Sequence, residues 1–258
     1  MITKTVQGYN PVFNPEARIE RVQLSNGSSY FVVDDALVDP ERMVRFAVEH
    51  LAQFRNVDFN AYPGVFLLTP DIAVSLSQFF NQHIRRLFDA RRLLHMHCRL
   101  SMVTLPSHAL RPYQRMCHRD MPVLEPRHSI QASILYLFKD SGLGGTSFYE
   151  PARPQEEMAA LFNDASTLPS QTFDIKYRLQ PGYMFGSNHY FTCVGTALAK
   201  WNRLIFYDGY ILHTGDIMAP ERLTADPISG RLTLNAFFTS RRNISTSKQR
   251  SFEYDHPG

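Results

Sequence analysis

From about residue 95 the chain changes its hydrophobic period. Short alternating runs at 96–104, 129–138, 145–149, 203–207 and 231–238 follow one another. Turn residues rather than regular helices separate them. Strands joined in this way favour an antiparallel barrel or sandwich over a doubly wound sheet, which needs crossover helices.

Upstream the pattern is helical. Asp39 is a candidate N-cap and Pro40 suits a first helical position. Met43, Val44, Ala47, Val48 and Leu51 then form an apolar stripe. A second helix opens at Thr69-Pro70, with Ile72, Leu76, Phe79, Phe80 and Leu87 on its buried side. Tyr30 to Val33 reads as a strand, and Asn60 to Val65 as a turn. The organisation expected is one domain over 1–258. A lead-in strand and supporting helices fill 1–94, and a barrel core fills 95–240. That core carries an insertion at 150–200, helical around Gln155 to Phe162 and then polar, Gly-rich loop. A basic tail follows at 241–258.

A net charge of +3 without a dense basic stripe gives no footprint for nucleic acid. Cys98, Cys117 and Cys193 make neither a zinc spacing nor a disulfide framework, which fits a reducing cytoplasm. No apolar run reaches the length of a membrane span.

Three pieces carry chemistry. In His118-Arg119-Asp120, residues i and i+2 share a side if the segment is extended. An imidazole and a carboxylate could then face one ion while Arg119 points away. The bland alternative is a surface ion pair. His213 closes an apolar segment before Thr214-Gly215, a place where a lone histidine is more often a hydrogen-bonded core residue than a ligand. His95 and His97 are the rival i, i+2 pair, with no nearby carboxylate. In the last run Arg231, Thr233 and Asn235 alternate with Leu232, Leu234 and Ala236, so a polar face opposes an apolar one. An arginine buried there needs an anion; the alternative is an edge strand with a solvated face. Two imidazoles and a carboxylate can hold a non-haem Fe(II) with positions open for O2 and a co-substrate. A guanidinium can grip the far carboxylate of 2-oxoglutarate as a fork.

The order of these pieces, with the strand Ser129 to Phe138 ending in Tyr136-Leu137 and then Gly144-Gly145-Thr146-Ser147-Phe148, resembles the prolyl-hydroxylase-type Fe(II)/2-oxoglutarate oxygenases. The resemblance implies an α+β, mainly β fold: a double-stranded β-helix, the jelly-roll or cupin-like barrel, with N-terminal supporting helices. It implies His118, Asp120 and His213 as iron ligands, Arg231 on the distal carboxylate of 2-oxoglutarate, and Tyr136 and Thr233 beside the same co-substrate. Iron halogenases of that superfamily lack the carboxylate at the Asp120 position, so the resemblance implies hydroxylation first, with desaturation and cyclisation open. The chain as a whole also resembles a bacterial family often found near tryptophan-halogenase-like genes. That likeness runs through Asn14-Pro15-Glu16-Ala17, Asp34 to Pro40, Ala61-Tyr62-Pro63-Gly64, Asn202-Arg203-Leu204-Ile205 and Gly230-Arg231-Leu232-Thr233.

Tyr62, Tyr149, Asn188, His189 and Tyr190 fall in loops or at strand ends that could reach a barrel mouth, where a small-molecule, amino-acid or peptide substrate would sit. The rival readings are a non-catalytic cupin-like protein binding metal or a small acid, and a metal dioxygenase independent of 2-oxoglutarate. Oligomeric state has no sequence signal here.

Overall fold

The computed structural model describes residues 9–56, 62–120 and 127–242. The proposed tail beyond 242 and the first two residues of the Asn60–Val65 turn lie outside these. Ten strands dominate: β1 (Ile19–Gln23), β2 (Ser29–Val33), β3 (Gly64–Leu68), β4 (Ala90–Val103), β5 (His128–Tyr136), β6 (Thr146–Pro151), β7 (Phe191–Ala197), β8 (Arg203–Asp208), β9 (Leu212–Gly215) and β10 (Leu232–Arg242). The helices are α1 (Pro40–Glu49), α2 (Pro70–Phe79), α3 (Gln155–Thr167) and α4 (Ser170–Tyr177). The strands form a seven-stranded sheet, β1-β2-β8-β5-β10-β4-β3, and a three-stranded sheet, β7-β6-β9. Every pairing is antiparallel. The chain is mostly β, as its alternating runs imply.

The long inner strand β10, flanked by β5 and β4, explains the layering. Leu232, Leu234, Ala236 and Phe238 are fully buried on one face. They join Met43, Ile72, Leu76, Phe80, Leu100 and Phe206 in a core beneath α1 and α2. Phe80 stacks on Phe238 at 4.1 Å between ring centroids. Asp39 caps α1 by accepting from the Arg42 amide at 3.0 Å, and Pro40 and Pro70 start their helices. Val48, Leu51 and Leu87, expected on buried faces, are instead exposed: the buried face of α1 is carried by Met43, Val44, Phe46 and Ala47, Leu51 lies beyond its end at Glu49, and α2 gives way to a π-helical turn at Phe80–Ile84 that changes the facing period before Leu87. Leu234→Ala should leave a cavity at the middle of this core and lower stability by about 2–5 kcal/mol, read by urea melts.

On its other face the large sheet meets the small one. Tyr136, Ile205 and Tyr207 pack with Phe148 and Val194. The far side of the small sheet is covered by α3 and α4 through Met158, Leu161, Phe173 and Tyr177. Residues 170–177 and 191–197, expected as loop, are therefore a helix and a strand. Ser170–Tyr177 has almost no amphipathic pattern, and β7 is only seven residues with mixed burial, so neither stands out by period.

Candidate metal centre

His118 and Asp120 are brought to His213 by backbone pairing. The His118 amide donates to the His213 carbonyl and the His213 amide to the His118 carbonyl, both at 2.9 Å. The Asp120 amide donates to the Gly209 carbonyl at 2.9 Å. Segment 118–120 thus runs antiparallel to 209–213, and β9 is in turn paired to β6. The three side chains each offer a ligand atom within 4.8 Å of the others, the one such group among the described residues. Asp120 Oδ2 lies 3.3 Å from His213 Nε2, and Asp120 Oδ1 lies 3.7 Å from His118 Nε2. His95 and His97 gather no carboxylate; His97 stacks on Phe237 instead.

These residues fit a divalent ion. Adjacent donors on bonds of about 2.1 Å sit about 3 Å apart, close to the spacings here. Asp120 Oδ2 is buried with the His213 imidazole, 3.3 Å away, in place of water, a setting in which a cation shared by the two groups would be well compensated. His213 Nδ1 is 2.8 Å from the Ile211 carbonyl. A carbonyl only accepts, so Nδ1 carries the proton and Nε2 is turned to the acid, the usual way a ligating imidazole is oriented. His213 is buried, whereas the His118 side chain is half exposed, so the centre opens on one side.

Electrostatics agree. Burial and the neighbouring His213 push His118 down to about 4, leaving it neutral and able to ligate. For Asp120, burial acts upward, but the two imidazoles and Arg99 outweigh it and the pKa falls. For His213, burial acts downward, but the Asp120 carboxylate outweighs it and the pKa rises. A metal must therefore displace the proton held on Nε2. Divalent-metal affinity should increase as pH rises through the raised His213 value and level off above it, with release of about one proton per ion. Calorimetric titration of Zn(II) in buffers of different ionisation enthalpy measures both.

The triad lines a cavity of about 210 Å³ between the sheets. Arg231 lies in it, 4% exposed. Its Nε donates to the Leu143 and Gly144 carbonyls at 3.1 Å each, and Nη2 donates to the Gly145 carbonyl at 2.7 Å. Among the described residues, Nη1 has no acceptor and no carboxylate pairs with the guanidinium. Gly144 makes this cradle possible: its φ of +85° suits glycine, and a Cβ there would collide with the Asp216 carbonyl.

The other residues singled out in the sequence scatter. Tyr62 lines the cavity. The Tyr136 hydroxyl pairs with Thr146 Oγ1 at 2.8 Å just behind the cavity wall, and burial holds its pKa up at about 12. Thr233 is fully buried and donates to the Ser101 carbonyl at 3.4 Å. Tyr149 lies with Leu212 on the helix-covered side of the small sheet, opposite His213. The Asn188 side chain accepts from the Tyr190 and Phe191 amides and caps the entry to β7. His189 bonds the Tyr177 carbonyl and Tyr190 packs on Tyr177, so these three serve the α3–α4 layer and not the cavity. The expectation of a substrate-facing role for Tyr149, Asn188, His189 and Tyr190 is not met by their positions. Sequence reading passed over Arg99, Tyr183 and Tyr207, and used Asn235 only as part of an alternating face, yet all four line the cavity.

The chain is thus a mostly β protein whose inter-sheet cavity gathers two histidines, a carboxylate and a buried arginine. Residues 15–238 match the model of a family of unknown function, DUF6445, and the chain belongs to that family. No curated protein sequence matches it. Among solved structures, it is similar to the non-heme alpha ketoglutarate dependent carbocyclase SnoK from nogalamycin biosynthesis: 12% identity, 85% of this chain and 84% of that one covered, TM-score 0.47. It is also similar to iron-bound HygX from Streptomyces hygroscopicus (10% identity, 84% and 83% covered, TM-score 0.46). The epimerase SnoN, also non-heme and alpha ketoglutarate dependent and from nogalamycin biosynthesis, gives 12% identity, 88% and 87% covered and a TM-score of 0.41.

Proposed function

We propose that this protein is an Fe(II)- and 2-oxoglutarate-dependent oxygenase that oxidises a C–H bond of a small organic substrate, an amino acid or a peptide, on a double-stranded β-helix frame. The supporting observation is the convergence in one cavity of the His118–Asp120–His213 donor set with a buried, carboxylate-free Arg231. Bound there, iron would supply oxygen activation coupled to decarboxylation of 2-oxoglutarate to succinate and CO2, one oxygen atom entering the substrate and the other the succinate.

The chain's own groups have clear tasks. His118, Asp120 and His213 would hold the ion from one side of the cavity. Arg231, oriented by three backbone carbonyls, presents its remaining donors to the distal carboxylate of the co-substrate. Tyr136 and Thr146 steady the wall behind it through their mutual hydrogen bond. Phe237, Ile134, Val103 and Tyr207 give the cavity apolar walls that exclude water and place the substrate. Incubation with Fe(II), O2 and 2-oxoglutarate tests the reading: succinate should form even without substrate, slowly and by uncoupled turnover. No succinate, together with no 2-oxoglutarate binding to the metal-loaded protein, would leave a binding protein.

A further inference from the structure

We propose that Arg99 and Asn235 form a second recognition point in the cavity, one that takes the head of an α-amino acid: a carboxylate with a hydrogen-bond donor beside it. The inference rests on the oxygenase reading for its charge count and names the substrate class of that site.

Arg99 lies on β4, directly across from Asn235 of β10, and both line the cavity. Its guanidinium is enclosed by the rings of Phe66 at 4.7 Å, Tyr62 at 5.3 Å and Phe237 at 5.6 Å from their centroids. Rings packed around a guanidinium offer it no hydrogen-bond acceptor, so its N–H edge stays available to a carboxylate, which binds there as a two-pronged acceptor. Nothing among the described residues fills that edge. Among these residues no acceptor or carboxylate pairs with Arg99, and its Nε is buried without a hydrogen bond. Burial also lowers its pKa, the mark of a desolvated cation without sufficient compensation.

The charges say the same. Among the described residues, Asp120 is the one carboxylate on the cavity wall, against two guanidiniums, Arg99 and Arg231. A divalent metal and a dicarboxylate cancel each other, and Asp120 offsets Arg231. One positive charge, that of Arg99, is left for the substrate to neutralise. Asn235 adds the second element: its Oδ1 is buried with no donor and needs an N–H or O–H from the ligand. A carboxylate on Arg99 and an adjacent nitrogen at Asn235 satisfy both groups at once.

The test uses the Zn(II)-loaded protein, saturated with 2-oxoglutarate, and a panel of L-amino acids with their carboxamides, read by calorimetry. At least one acid should bind, with its carboxamide at least about 10-fold weaker because the fork loses its anion. Arg99→Gln and Asn235→Leu should each remove that binding while leaving 2-oxoglutarate affinity within about 3-fold, which also reports an intact fold. Arg99→Lys, keeping the charge without the fork, should retain a fraction of it. Equal binding of acid and amide, or no binding by any acid in the panel, would overturn the proposal. So would loss of 2-oxoglutarate itself in Arg99→Gln, which would make Arg99 the co-substrate's partner. A protein that fails to bind 2-oxoglutarate at all refutes the oxygenase reading instead, and that arm is measured separately.

Discussion

Asp120→Ala should abolish divalent-metal binding and every activity that depends on it. Partners that merely orient a metal ligand contribute about 10- to 100-fold to affinity, so losing one of three direct ligands should cost more than about 100-fold. The position is doubly sensitive here. Asp120 sits between the two imidazoles, 3.3 Å from one and 3.7 Å from the other, and it is what keeps the His213 pKa raised. Removing it leaves two neutral histidines and a neighbouring Arg99 that repels cations. The charge-free isostere Asp120→Asn should lose metal nearly as completely, and His213 should titrate lower in NMR experiments on the metal-free variant. Mn(II) titration followed by electron paramagnetic resonance gives the dissociation constant directly. Affinity within 3-fold of the parent protein would remove the triad as a metal centre.

The second large effect is expected at Arg231. Truncating one partner of a buried, hydrogen-bonded charge pair costs about 2–5 kcal/mol, so Arg231→Gln should weaken 2-oxoglutarate binding by roughly two orders of magnitude or more while metal affinity stays nearly constant. The same change strips donors from the Leu143, Gly144 and Gly145 carbonyls, and about 1–3 kcal/mol of stability should go with them. The two losses separate when binding is measured well below the melting temperature of the variant. Arg231→Lys keeps the charge but cannot serve three carbonyls and a ligand together, so it should fall between parent and Arg231→Gln in both measurements. Unchanged 2-oxoglutarate affinity in Arg231→Gln would detach the co-substrate from this residue.

Much of this could be read before any coordinates, and the reasons differ by residue. The last strand was plain because Leu232, Leu234, Ala236 and Phe238 alternate without a break, and the apolar face they form is the centre of the fold. The i, i+2 spacing marks His118 and Asp120 only weakly, and it is the family resemblance that joins the distant His213 to them as a set. Arg99 was not readable, since the stretch Arg91 to Arg99 mixes three arginines with two histidines and gives no single polar face. Tyr149 shows a different limit. A register shift between Phe148 and Tyr149 interrupts the β6–β7 ladder, and a strand's parity relative to a distant site depends on which partner it pairs with. Asn188, His189 and Tyr190 looked like lid residues because they are polar and aromatic in a Gly-rich stretch. The same qualities suit a strand cap and helix packing, and only the tertiary neighbours decide between them.

The mutual pairing of His118 with His213 has a consequence for assembly. Two stretches nearly a hundred positions apart must zip together in one alignment before any ion can be coordinated. Sliding either stretch by a single residue would turn its donors to the opposite side and scatter the set. A coordinated ion would therefore penalise every misaligned hairpin at once, acting as a proofreader of the closing seam, and the yield of correctly threaded protein should follow the supply of metal during refolding.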